Sequence, residues 1–303
     1  MNKFFSFQIL TAMMFFAITG CNSDKPEAPD PTEPVEVKFQ ANLKQASLMK
    51  VAGDEFQASD EIGLFMKRAG QSLTAPGAVY PNGDNALLRM DDATGNFAAF
   101  PPLMYPLTGN VDFVAYYPYT TPVIGYSIPV DLSAETLYSN NAVERAPSED
   151  PVALNFRYSL AKLYVTVSGG ANSKLTPADF ADMQVFVGEV YRFAYLQLAD
   201  GTFADYGTET TFALNEAGSA NNSAAFDALM LPRPASDGMV TFQFVVGAAT
   251  YQYAYSPEYL GANLYQLNFI LDFEAEPIVT LFSASISPRT VNEPETIYVP
   301  TYE

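Results

Sequence analysis

The chain has 303 residues, with 15 Lys+Arg against 34 Asp+Glu for a formal net charge of −19, and it contains no histidine, no tryptophan and one cysteine. Without imidazole there is no Ser-His-Asp or Cys-His nucleophile and no histidine-based metal triad, and one thiol forms neither an internal disulfide nor a thiolate zinc cluster. The carboxylate excess argues against nucleic acid, while 49% apolar content and only 16% charge describe a chain that builds a core, in one large domain or two.

Met1 to Gly20 carry one cation, Lys3, ahead of a largely apolar run from Phe4 to Thr19. The run has the length of an export-signal core and is short for a membrane-spanning helix. It ends in Ile18-Thr19-Gly20-Cys21, which resembles a bacterial lipobox. Small residues there open the bond between Gly20 and Cys21 to a signal peptidase, and the Cys21 thiol takes the lipid. The expectation is a lipoprotein signal peptide over residues 1–20 and an anchor at Cys21; the alternative is an ordinary cysteine. Acyl chains contribute about 0.8 kcal/mol per buried CH₂, so several of them hold a protein on a membrane. Residues 21–34 follow with four prolines, several acids and almost nothing to bury, which reads as an extended acidic tether.

From Val35 onward the apolar period is two. Val35, Val37, Phe39, Ala41 and Leu43 alternate with polar partners and predict a first strand. Val111, Phe113, Ala115 and Tyr117 predict one face of another, and Leu132 to Leu137 a short helical turn. Asn140 to Asp150 is polar, carries a proline and lacks a strand pattern. It is read as a boundary between an N-terminal unit, 35–148, and a C-terminal unit, 149–303. Leu163, Val165 and Val167 then form a strand face, and Thr176-Pro177-Ala178-Asp179 offers a helix N-cap with proline at the first position. Tyr195 to Leu198 run into Asp200-Gly201, a hairpin signal, and Thr241–Val246 with Tyr251–Tyr255 flank a second turn at Gly247. Leu267, Phe269, Leu271 and Phe273 alternate once more. Ile278–Ile286 and Thr296–Tyr302 close the chain as strand-like segments split by Pro288 and Pro294. Strands at this spacing predict an all-β fold of sandwich type.

No residue pattern in the chain marks a catalytic, cofactor or metal site. Asp60-Glu61, Asp91-Asp92 and Glu149-Asp150 are adjacent, so on a strand each pair points to opposite faces. Asp91 to Asn96 is rich in oxygen ligands but lacks the EF-hand spacing, and Ser168-Gly169-Gly170 reads as a turn without P-loop context.

Three segments in order carry a family resemblance: Asp60-Glu-Ile-Gly-Leu-Phe-Met66; Met104-Tyr-Pro106 followed by Val111-Asp-Phe-Val-Ala-Tyr-Tyr-Pro-Tyr119; and Val152-Ala-Leu-Asn-Phe-Arg-Tyr-Ser-Leu-Ala-Lys-Leu163. Tyr259-Leu-Gly-Ala-Asn-Leu-Tyr265 is a weaker fourth. Together with the lipobox they resemble the fimbrillin family, the lipoprotein precursors of type V pili. Phe56, where a tryptophan is common, and Tyr158, where a histidine is usual, depart from the pattern. The resemblance implies two tandem transthyretin-like β-sandwich domains in a non-enzymatic subunit that needs no cofactor. It also implies assembly by strand exchange: a maturation protease detaches the first strand, and a strand of the next subunit replaces it. Val35, Val37, Phe39, Ala41 and Leu43 would be the detachable face. Lys50 occupies the place of the cleaved basic residue, or is a plain solvated lysine. The tail, residues 290–303, offers Ile297, Tyr298 and Val299 as donor positions, or forms an edge of the chain's own second half. The implied partners are other pilin subunits in a homo- or hetero-polymer, the protease, the outer membrane through the lipid, and a host or bacterial receptor. The rival reading is a lipid-anchored surface glycan-binding protein.

Overall fold

Branched and aromatic side chains at a period of two select strand over helix along this chain. The computed structural model describes residues 34–43, 56, 60–90, 96–233, 235–255, 258–272 and 278–289. Among these residues the protein is nineteen strands with a single five-residue α-helix.

The N-terminal half closes on itself. Strands β1 (Phe39–Leu43), β2 (Glu61–Arg68), β3 (Ala86–Met90), β4 (Asn96–Phe100) and β5 (Val111–Tyr117) are joined, past β6 (Ser127–Val130), by β7 (Leu137–Arg145) and β8 (Val152–Tyr158). The hydrogen-bonded order is β1-β4-β3-β2-β5-β7-β8 and back to β1, a closed barrel. The two layers expected of a sandwich are thus continuous at both edges. Its core gathers Val37, Phe39, Ile62, Leu64, Phe97, Phe113, Leu154 and Phe156.

The C-terminal half is an open two-sheet sandwich. Its elements are β9 (Ala161–Gly169), α1 (Pro177–Ala181), β10 (Gln184–Tyr191), β11 (Ala194–Gln197), β12 (Thr202–Ala204), β13 (Glu209–Ala213), β14 (Asn215–Ala220), β15 (Ser223–Met230), β16 (Val240–Val246), β17 (Ala249–Tyr255), β18 (Asn263–Asp272) and β19 (Ile278–Pro288). One sheet runs β13-β10-β16-β17 and the other β14-β15-β9-β18-β19. Phe269 stands at the centre of the core between them, with ring centroids 5.2 Å from Phe242, 5.0 Å from Phe244 and 5.4 Å from Tyr253. Helix α1 starts where the N-cap signal predicts: the Thr176 hydroxyl accepts from the Asp179 N–H, and the Asp179 carboxylate accepts from the Thr176 N–H, a capping box. Both hairpins form as read, with Gly201 and Gly247 at the positive φ their turns need.

A third sheet, β12-β11-β6, lies outside the barrel and draws on both halves. Its core contains Phe65, Val114, Tyr116 and Tyr138 from the barrel's outer side, with Ile128, Val130, Leu196 and Leu198 packed over them. The Tyr138 hydroxyl donates to the Leu198 carbonyl (3.0 Å).

Three local expectations are corrected. Asn140 to Arg145 are not a linker but the outer part of β7, and β8 returns into the N-terminal barrel, so the chain passes to the second core between Tyr158 and Ala161. The polar run misled because Asn140, Asn141, Glu144 and Arg145 face solvent while the backbone stays in the ladder and Ala142 points into the core. Leu132 to Leu137 is no helical turn: Leu132 has φ 64° and Leu137 opens β7. In β5 the even-numbered face is buried as well as the odd one, because the third sheet covers Val114 and Tyr116.

Candidate functional site: the first strand and the root of the last

The segment Val35–Leu43 lies in a slot that its own alternation fits. Val37, Phe39 and Ala41 are buried in the barrel core, and Val35 and Leu43 pack half-buried against it. Glu36, Lys38, Gln40 and Asn42 face solvent. Hydrogen bonds tie it on both sides. Val37 N–H donates to the Leu103 carbonyl (2.8 Å), and Tyr105 N–H donates to the Val35 carbonyl (2.9 Å). β1 then runs antiparallel to β4, pairing Phe39 with Phe97, and parallel to β8, pairing Phe39 with Val152 through Leu43 with Phe156. The Phe39 ring meets Phe113 edge-on at 5.3 Å. Phe56 returns the chain to the same core, edge-on to Phe97, Phe156 and Tyr117. Its aromatic environment accounts for the packing role of that position.

Lys50 lies outside the described residues, as do Gly20, Cys21, Ile297, Tyr298 and Val299. The described chain ends instead at Arg289, directly after β19, and there the structure adds a feature the sequence reading missed. Arg289, 6% exposed, grips the Glu135 carboxylate with two hydrogen bonds, Nη2 to Oε1 at 2.5 Å and Nη1 to Oε2 at 3.0 Å. Its guanidinium also lies 3.9 Å from the Tyr158 ring centroid, and its N–H donates to the Ala262 carbonyl (2.7 Å). The root of residues 290–303 is thereby clamped to the N-terminal half. Glu135 and Arg289 are 154 residues apart, so no sequence spacing could announce the pair. β19 itself is an edge strand, with Ile278, Phe282 and Ile286 more than half exposed.

The barrel end beside β5 is held by charge. Asp112, 4% exposed, accepts from Lys67 Nζ (2.6 Å), Gly70 N–H (2.9 Å) and Glu144 N–H (2.8 Å). Burial alone raises its carboxyl, but the Lys67 contact and the two backbone donors outweigh that and hold it below the ordinary carboxylate range. Tyr116, pushed up to about 12 mainly by burial, directs its one hydroxyl proton at Asn85 Oδ1 (2.7 Å), with the Thr120 carbonyl at 2.9 Å as the competing acceptor. Beside them an open cleft of about 520 Å³ is lined by Asp84, Tyr119, Thr121 and Tyr126.

Of the acidic pairs, Glu61 pairs with Arg89 (2.8 Å), Asp60 accepts from the Tyr117 hydroxyl (3.1 Å), and Glu149 and Asp150 are exposed; Asp91-Asp92 lies outside the described residues. Among the described residues no three acidic, histidine or cysteine side chains gather as a metal site, and no helix is long and apolar enough to cross a membrane.

A family model described as fimbrillin-like matches residues 50–288. No curated protein matches the chain. Among solved structures, the chain is similar to a candidate cell adhesion protein of Bacteroides uniformis ATCC 8492, at 22% identity and a TM-score of 0.63 over 86% of this chain and 100% of that one. It also matches a candidate cell adhesion protein of Bacteroides fragilis NCTC 9343 (11% identity, TM-score 0.49, 85% and 98% covered). A candidate adhesin of Bacteroides thetaiotaomicron VPI-5482 gives 10% identity and a TM-score of 0.49, with 82% and 96% covered.

Proposed function

The chain belongs to the fimbrillin-like family, and from that premise we propose that it is the precursor of a cell-surface fimbrial subunit that serves adhesion through an assembled fibre. In this reading a lipid at Cys21 anchors the precursor to the outer membrane, and a protease cuts after Lys50. β1 then leaves, and a strand of the next subunit, with Ile297, Tyr298 and Val299 among its contacts, takes the slot.

The observation that carries the reading is the seating of β1. It is short, and it joins a closed barrel through hydrogen bonds on both sides. Its loss would leave unpaired N–H and C=O groups on β4 and β8 above an apolar trough lined by Phe113, Leu154 and Phe156. An incoming strand repairs both defects at once. A donor filling five side-chain positions gains on the order of 10 kcal/mol before ordering costs.

The test is limited digestion of the purified, lipid-free chain with a Lys-specific protease, followed by electrophoresis and N-terminal mass spectrometry. The reading expects a new N-terminus at Val51 and detergent-resistant ladders, both lost in Lys50→Gln. A chain cut at Lys50 that stays monomeric overturns strand exchange. Cys21→Ser should release the protein from membranes; persistent membrane association removes the anchor.

Glycan binding is the second reading, favoured by the open cleft with Tyr119, Tyr126 and Asp84 on its walls. Saturable binding on a glycan array without laddering would favour it over polymerisation.

A further inference from the structure

The second half contains a buried cation that has no protein counter-ion among the described residues. Arg233 follows β15 and is 3% exposed; Tyr259 precedes β18 and is 0% exposed. They face each other as an isolated antiparallel pair. Arg233 N–H donates to the Tyr259 carbonyl (2.7 Å), and Tyr259 N–H donates to the Arg233 carbonyl (2.9 Å). Side chains of directly opposed residues stand on the same face, Cβ atoms about 5 Å apart. Of the guanidinium, Nη1 donates to the Glu189 carbonyl (3.0 Å). Nε, Nη2 and the Tyr259 hydroxyl are buried and have no hydrogen-bond partner.

Backbone geometry explains why Glu189 does not neutralise the charge. It sits at φ 57°, where the register of β10 against β13 shifts. Its carbonyl goes to Arg233, while its exposed carboxylate accepts from Thr241 N–H (3.0 Å). Asp237, the next acid along the chain from Arg233, is exposed. A guanidinium does not deprotonate to escape burial. Burial drives the Tyr259 hydroxyl far above its ordinary range, so it too remains a donor.

We propose that Arg233 and Tyr259 form a binding site for a small inorganic anion of chloride size, enclosed in the C-terminal half. Nε and Nη2 form the side-by-side edge with which arginine grips an anion. The phenol beside them supplies a third donor. A water molecule placed there could donate to the phenol oxygen and accept from the guanidinium, but it would leave the buried positive charge uncancelled. An anion accepts from all three and cancels the charge. Burial restricts the ligand to a few atoms. The site is independent of β1 and of strand exchange.

The experiment uses the full soluble chain. Its melting temperature is followed while sodium chloride replaces sodium gluconate at constant ionic strength, and again with sodium bromide. The expected result is a saturable rise with chloride and bromide that Arg233→Gln abolishes. Tyr259→Phe, which keeps the ring and removes one donor, should raise the half-saturating chloride concentration about tenfold, the loss of one hydrogen bond to a charged group. If Arg233→Gln does not fold, Tyr259→Phe carries the comparison alone. In bromide-grown crystals an anomalous peak should lie within hydrogen-bond distance of Arg233 Nε and Nη2 and the Tyr259 hydroxyl. Identical melting in chloride and gluconate, an unchanged chloride response in Tyr259→Phe, or an ordered water in place of the anomalous peak overturns the proposal.

Discussion

Phe39→Ala tests most directly whether β1 is seated as an integral part of the barrel. Phe39 is 1% exposed, lies between Phe97 on β4 and Val152 on β8, and rests edge-on against Phe113 at 5.3 Å. Truncating a fully buried phenylalanine removes its transfer free energy and leaves a cavity, together about 3–5 kcal/mol. The neighbouring residue serves as control: Gln40 faces solvent on the same strand with the same backbone pairing, and Gln40→Ala should stay within about 0.5 kcal/mol. The assay is urea unfolding of both variants and the parent, followed by tyrosine fluorescence, with the slope m compared as well as the midpoint. Typical domain stability is about 5–15 kcal/mol, so the Phe39 loss would consume a large share of it. A Phe39→Ala midpoint matching that of Gln40→Ala would refute the seating of β1, and with it the trough that strand exchange requires. A lower m for Phe39→Ala alone would mean that the variant already releases β1 in its native state.

Asp112→Asn should lose about 3 kcal/mol at neutral pH, because it strips a charge from a buried pair. Since the folded carboxyl of the parent lies below its unfolded value, its contribution is fully present above the ordinary carboxylate range and is lost as pH falls through the depressed value. Unfolding free energy measured from about pH 6 down to pH 2 should therefore fall less steeply in Asp112→Asn, and parallel curves would exclude the assignment. Gly63→Ala should destabilise by about 1–3 kcal/mol by overpacking, since a Cβ there stands 2.2 Å from the Tyr116 ring. The loss should shrink in a Tyr116→Leu background, and additive effects would show that the two positions do not touch. Glu135→Gln should cost about 1.5–3 kcal/mol by removing the carboxylate from Arg289, and Arg289→Lys should not restore it because an ammonium lacks the planar fork. Differential hydrogen exchange localised to Ala262 and β19 would report that loss; unaltered exchange there would show that the clamp does not hold the strand.

Much of the fold is legible from period alone, and the failures share a cause. β1, the two hairpins, α1 and the core faces of β9 and β18 follow from local alternation and turn chemistry, which need no knowledge of the rest of the chain. The second buried face of β5 does not, because Val114 and Tyr116 are covered by β6 and β11, segments that come from both sides of the supposed boundary. Asn140–Arg145 misled for the complementary reason: strand membership there is set by backbone partners while the polar side chains look outward and only the small Ala142 enters the core. Asp60-Glu-Ile-Gly63 could be matched as a motif without its physics, and the Tyr116 ring against the Gly63 backbone supplies it. The Arg289–Glu135 pair and the Arg233–Tyr259 pair are long-range, and polar residues carry no period from which to infer a partner.

Closure of the barrel bears on how a subunit of this kind avoids premature association. A sheet edge is a template for another chain, and a closed barrel has none. While β1 is in place the barrel offers no acceptor, and among the described residues the open sheet edges are β13, β14, β17 and β19 of the sandwich and β6 and β12 of the third sheet. Of these, β19 combines eleven residues without a charge and three exposed large apolar side chains. It would be the natural site of unwanted pairing, and Arg289 fixes its end against Glu135 and Tyr158. Cutting at Lys50 would change the first condition without touching the second. The acceptor trough between β4 and β8 would open, whereas the departure point of the C-terminal segment would stay clamped. Ladder formation by the cut chain should therefore depend on the clamp as well as on β1. Glu135→Gln, cut at Lys50, should retain its trough yet form ladders with a broader length distribution. Identical ladders from the parent and Glu135→Gln would show that the direction in which residues 290–303 leave the body does not matter to assembly.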